Sequence, residues 1–130
     1  MSDWTVEHMA RVPGVRHVVL CTTDGLLKAR SGGLARDDAE RLAARCTAML
    51  SLGRDQAASH GTGEPVVRQV MVQHDGGCLF LRGAAAGTAL AVITGEDINP
   101  GLIAQEMQLM VLRLGEATLS TPSRGAGGVG

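Results

Sequence analysis

Apolar residues in this chain recur with two different periods, and the switches between them mark out helices and strands. From Asp37 to Asp55, Ala39, Leu42, Ala43, Cys46, Leu50 and Gly53 return at helical spacing, the stripe of an amphipathic helix. Met49 and Leu52 sit beside that stripe and widen it beyond a one-sided pattern. Asp37 followed by Glu40 has the form of a capping box, and Arg41, Arg45 and Arg54 trail the acids in the direction the helix dipole favours. Small side chains dominate the stripe, so another helix can approach closely. Two packings fit this pattern. In one the helix covers its own sheet on one side and meets a second chain on the other; in the other it lies wholly buried in a monomer.

Ahead of this helix, Ser2-Asp3 is expected to cap a short helix carrying Trp4, Val6, Met9 and Val12, ended by Pro13-Gly14. Val15 to Thr23 is predicted as a strand, unbroken through Val18, Val19, Leu20 and Cys21. Asp24-Gly25 turns it into a second, more polar strand, Leu26 to Ser31. Behind the helix, Ser59 to Glu64 is expected as a loop and Pro65 to His74 as a strand. Val66, Val70 and Val72 fall on one face of that strand, Val67, Gln69, Met71 and Gln73 on the other. Asp75-Gly76-Gly77 makes a hairpin into Cys78 to Arg82, and Thr88 to Thr94 follows, apolar on both faces. Asn99-Pro100 opens a last helix with the stripe Ile103, Met107, Met110, Val111 and Leu114. Residues 1–119 are expected to form one domain, and Ser120 to Gly130 a disordered, Gly-rich tail.

The order α-β-β-α-β-β-β-α predicts an α/β (α+β) fold. A strand apolar on both faces needs cover on both, so the first and fifth strands belong at the centre of a five-stranded antiparallel sheet. The second and third suit the edges. Three layers result, with the central helix on one face and the two terminal helices on the other. The third strand has no gatekeeper beyond Pro65 and leaves an edge open to pairing.

Composition narrows the function. With 130 residues the chain can bury a core without metal or disulfide staples. Twelve basic against 13 acidic residues, with Lys28 the single lysine, argue against nucleic acid. Trp4 and Phe80 are the only aromatics, which removes stacking platforms and the usual walls of a small-molecule pocket. Cys21, Cys46 and Cys78 have neither disulfide-framework nor zinc spacing and read as small buried hydrophobes. No apolar run reaches the roughly 18 residues of a membrane span, so a reduced, cytoplasmic protein without membrane insertion is expected. His8, His17, His60 and His74 fall in four different elements without metal-site spacing. Asp24 is explained by its turn, and Gly95-Glu96-Asp97 by a helix cap or loop. Ser59-His60-Gly61-Thr62-Gly63 lacks the lysine of a phosphate loop. No catalytic residue, metal or cofactor is expected, and no enzyme.

Several segments together resemble the roadblock/dynein light chain family. They are Val12-Pro13-Gly14-Val15, Thr23-Asp24-Gly25-Leu26, Ala39-Glu40-Arg41-Leu42-Ala43-Ala44, and Glu106-Met107 with Arg113-Leu114-Gly115. The resemblance runs from Asp3 to about Leu119 and is nearest in kind to short, actinobacterial-type members that accompany a Ras-like GTPase. It implies a profilin-like fold and a dimer in which third strands pair and central helices pack antiparallel. It also implies an adaptor or regulator of a Ras-like small GTPase, in a system with a sensor kinase, supplying no arginine finger. On this basis Ala39, Leu42, Ala43, Cys46, Met49, Leu50, Val67, Gln69, Met71 and Gln73 are expected at a homodimer seam, with Ala43→Glu giving monomers. Arg41, Arg45 and Arg54 are expected to face the GTPase, solvated helix charges being the plainer alternative. A second class also fits such sheet-and-helix domains: a profilin- or PAS-like sensor of a small molecule, with a Met- and Val-lined pocket between sheet and helix.

Overall fold

The computed structural model describes residues 2–85 and 87–120. In chain order the elements are α1 (Ser2–Ala10), β1 (Val15–Thr22), β2 (Leu27–Arg30), α2 (Arg36–His60), β3 (Val70–His74), β4 (Gly77–Ala84), β5 (Thr88–Thr94) and α3 (Pro100–Ser120). The strands form one antiparallel sheet in the order β2-β1-β5-β4-β3. The two strands apolar on both faces, β1 and β5, lie inside, and the more polar β2 and β3 are the edges.

The alternation of side chains along each strand divides the core in two. Val18, Leu20, Phe80, Leu90 and Val92 point to one face and pack with Val6 and Met9 of α1 and Ile103, Met107 and Met110 of α3. Val19, Cys21, Leu81, Ala89 and Ala91 point to the other and meet Ala39, Leu42, Ala43, Cys46 and Leu50 of α2. The sheet is thus the middle of three layers, one helix on one side and two on the other. Asn99 caps α3 as expected, its Oδ1 accepting the Leu102 amide at 3.2 Å, with Pro100 at the first helical position.

Local chemistry departs from expectation in four places. Helix α2 starts earlier than Asp37: its N-cap is Ala35, extended and without a side-chain cap bond, so there is no capping box. Glu40 instead accepts from Arg36 Nε at 3.2 Å, and Asp38 from Arg41 at 2.9 Å. The helix also continues to His60, taking Ser59 and His60 out of the expected loop. Ala57 and Ala58 favour continuation, and Gln56 holds the His60 ring at 3.0 Å in the last turn. Strand β3 begins only at Val70, because Pro65 offers no amide and Val66 N turns back onto Glu64 O at 2.8 Å. Finally, β4 runs two residues past Arg82, and α3 reaches Ser120, so the tail from Thr121 to Gly130 lies outside the described residues. Ser2 and Asp3, expected to cap the first helix, both fall within α1, and the cap by their side chains lies outside what the structure describes.

Packing demands glycine at several turns, Gly25 among them. Gly25 closes the β1–β2 hairpin at φ +95°, and a Cβ there would stand 2.9 Å from Thr47 Oγ1 of α2. That contact lays the 43–47 turn of α2 directly over the hairpin. Thr22 completes the turn with its hydroxyl, which accepts the Leu26 amide at 3.0 Å.

Candidate functional site

Helix α2 does not cover its whole side of the sheet. Across the strands the registers define rows of residues sharing that face: Val19, Ala91, Leu81 and Val70 in one, Cys21, Ala89 and Gly83 in the next. These two lie beneath the helix, and Val19, Ala91, Leu81, Cys21 and Ala89 are fully buried. The row on the other side, His17, Ile93, Leu79 and Val72, is left half-covered, with Val72 38% exposed. It ends at β3, whose outer edge pairs with no strand among the described residues.

The helix carries a second apolar surface away from the sheet. Ala44, Ala48 and Leu52 recur every four residues, all exposed, Leu52 by 69%. Thr47 faces the β1–β2 hairpin, so residues two before and two after it, Arg45 and Met49, fall on the opposite flank, towards the half-covered row. Outer helix surface, open row and free strand edge therefore adjoin.

The residues expected at a dimer seam divide. Ala39, Leu42, Ala43, Cys46 and Leu50, expected at the dimer seam, are 0–3% exposed and pack on the chain's own sheet. The helical period was right, but it marked the inner side. Met49 is half-buried at its margin. Val67 lies before β3 rather than in it, so strand alternation does not apply. It turns towards α2 with Val70, where a Cβ on Gly53 would stand 3.0 Å from Val67 Cγ2. Gln69 is bound by Arg82 Nε at 3.0 Å. Met71 and Gln73 are exposed on β3, on the face of α1 and α3. Ala44, Ala48 and Leu52 of the outer surface, and the strand row itself, were not placed there from sequence. The four-residue recurrence of Ala44, Ala48 and Leu52 was visible; the row needs the register.

The three arginines are all exposed but do not form one patch. Arg45 and Arg54 are nine residues apart, two and a half turns, and so lie on opposite flanks. Arg41 is paired with Asp38, whereas Arg45 and Arg54 make no hydrogen bond or ion pair among the described residues.

Titratable groups do not converge on a catalytic arrangement. His8 Nε2 meets Glu106 Oε1 at 3.1 Å, and His74 Nδ1 lies 2.9 Å from Asp75 O. His17 Nδ1 is buried without a partner in the half-covered row. Glu96 Oε2 accepts the Gly76 amide at 2.6 Å and ties the β5–α3 loop to the β3–β4 turn. Beside that turn lies an open depression of 480 Å³ lined by Gln73, His74, Asp75, Gly77, Cys78 and Glu96. Its lining is polar and lies at a hairpin tip, unlike the Met- and Val-lined pocket a sensor would need. Under α2, Cys21 and Cys46 are buried in one core cluster, and the neighbouring Cys21 together with burial pushes the Cys46 thiol far above its ordinary range. No group of three or more His, Cys, Asp or Glu among the described residues could hold a metal ion. No described helix is long and apolar enough to cross a membrane.

The architecture has solved counterparts. A Roadblock/LC7 domain from Streptomyces avermitilis is 34% identical, with a TM-score of 0.82 over 91% of this chain and 98% of its own. Myxococcus xanthus MglB, at 16% identity, superposes with a TM-score of 0.81 over 91% of this chain and 94% of its own. Acanthamoeba castellanii profilin II, at 18% identity, shares the fold more loosely, with a TM-score of 0.52 over 88% and 98%. Among curated proteins, none matches the chain. The family model described as Roadblock/LC7 domain matches residues 1–94, from α1 to the end of β5, and the chain belongs to that family.

Proposed function

We propose that this protein is a non-catalytic homodimeric adaptor that binds a Ras-like small GTPase and biases its nucleotide state, in a cytoplasmic signalling system that includes a sensor kinase. The carrying observation is the adjoining trio of half-covered row, outer α2 surface and free β3 edge, in a Roadblock/LC7 domain. A second copy related by a two-fold axis can satisfy all three together. Its β3 continues the sheet along the open edge, and its α2 covers His17, Ile93, Leu79 and Val72 while Ala48 and Leu52 meet their counterparts. Ala44 and Ala48 allow the helices to approach closely. Arg45 then borders the seam. Arg54 is on the flank towards the β1–β2 hairpin and stays accessible to a GTPase, with Arg41 at the outer margin.

The GTPase is tested by immobilising the chain and measuring binding of purified Ras-like GTPases from the same genome, each loaded with GDP or a non-hydrolysable GTP analogue. Binding of one of them with a clear preference for one nucleotide supports the proposal. Absence of binding to any, in either state, contradicts it.

A further inference from the structure

We propose that α2 meets the α2 of a second copy antiparallel about a two-fold axis at Ala48, with Arg41 of each chain forming an ion pair with the partner's Asp55. The inference rests on the dimer proposed above and adds its register and its charge code. An isologous contact brings residue i of one chain to residue j of the other, and j to i. About an axis at Ala48, residues equally far before and after it therefore face each other. Four residues away these are Ala44 and Leu52; seven residues away they are Arg41 and Asp55. Seven residues make about two turns, so both charges return to within roughly 20° of the direction of Ala48, about 10 Å along the helix from it. All five side chains are exposed. A small residue thus sits at the crossing, and Leu52 lies over the partner's Ala44.

The charges favour this register over its neighbours. Asp55 makes no hydrogen bond or ion pair among the described residues. The positions three and four away on its own helix, Ser51, Leu52, Ala58 and Ser59, offer it no cation. Arg41 is held by Asp38 at 2.9 Å but stays 66% exposed, and a guanidinium carries five N–H donors. It can keep Asp38 and still reach a carboxylate across the seam. Moving the axis half a turn towards Ala44 would set Asp37 against the partner's Asp55, acid on acid. Moving it half a turn towards Leu52 would leave Arg41 opposite Ser59, hand Asp55 to Arg45, and put Gln56 rather than Leu52 over Ala44. With the axis at Ala48, Asp37 faces Ser59 and Arg45 faces Ser51, so no charge of the strip meets its own sign.

The test is a charge swap divided between two chains. Arg41→Glu alone sets acid against acid at both ends of the seam, and Asp55→Arg alone sets base against base. Mixed as one chain of each, the two substituted positions are again opposite in sign, and the other pair is native. Both positions are exposed on a helix and both new residues are good helix formers, so each variant should melt cooperatively. Arg41→Asp with Asp55→Lys carries the same charges and repeats the test should either of the first pair fail to fold. By sedimentation equilibrium, each variant alone should self-associate about ten-fold or more weakly than the wild type, and the equimolar mixture should return to within about three-fold of it. Native mass spectrometry should find one chain of each in the restored dimer. With a dimeric wild type, undiminished self-association of either variant, or a mixture no stronger than its components, overturns the register and leaves the dimer standing. Rescue of Asp55→Arg by Arg45→Glu, and not by Arg41→Glu, would move the axis towards Leu52 and overturn it too. A monomeric wild type overturns the dimer itself, and this pairing with it.

Discussion

Ala43 and Ala48 are five residues apart on α2 and mark its two sides. Ala43 is 0% exposed against the sheet, while Ala48 faces outward. A glutamate at Ala43 would bury an unpaired carboxylate in the chain's own core, a cost of about 3–5 kcal/mol. Loss of the folded state, followed by circular dichroism on heating, is therefore expected of Ala43→Glu rather than a folded monomer. Ala48→Glu should keep the far-ultraviolet spectrum and lose self-association, because two like charges would meet across a two-fold axis. Gly25 offers a second residue-scale check. Gly25→Ala must hold φ near +95° and meet Thr47 Oγ1, so a loss of about 1–3 kcal/mol is expected in urea unfolding.

Among elements, β3 and α2 show how much could be read from the chain. The strand order was legible, because Val18-Val19-Leu20-Cys21 and Thr88 to Thr94 are apolar on both faces and demand central places. The three-layer arrangement followed from the same demand for cover. The side of α2 that stays open was not legible. A period of 3.6 locates a stripe without saying whether sheet or solvent faces it, and the sheet took Ala39, Leu42, Ala43, Cys46 and Leu50. The open row was hidden for another reason: His17, Ile93, Leu79 and Val72 come from four strands and meet only through the register. Val67 was misplaced because alternation was carried through Pro65–Gln69, where the chain turns on itself instead of pairing. Two element-scale substitutions check this description. Asn99→Ala removes the α3 cap and should cost about 1 kcal/mol in urea unfolding. Val72→Lys places a charge on the exposed edge strand and should weaken self-association at least ten-fold while leaving the melting curve of the isolated fold cooperative.

At the scale of the whole molecule, the open edge of β3 and the half-covered row beside α2 lie together. In the proposed dimer, another copy of the chain supplies a helix to cover the row and a strand to pair with β3. A dimer built so leaves α1, α3 and the β1–β2 hairpin flank of α2 outside, and these are the surfaces the proposal leaves for a GTPase. The most direct test is sedimentation equilibrium of the wild-type chain over a wide concentration range, with Ala48→Glu run beside it. Twice the 13.5 kDa chain mass for the wild type, and 13.5 kDa for a folded Ala48→Glu, is the expected result. A wild-type monomer at every concentration, or an undiminished dimer of Ala48→Glu, would contradict the seam placed on the outer side of α2.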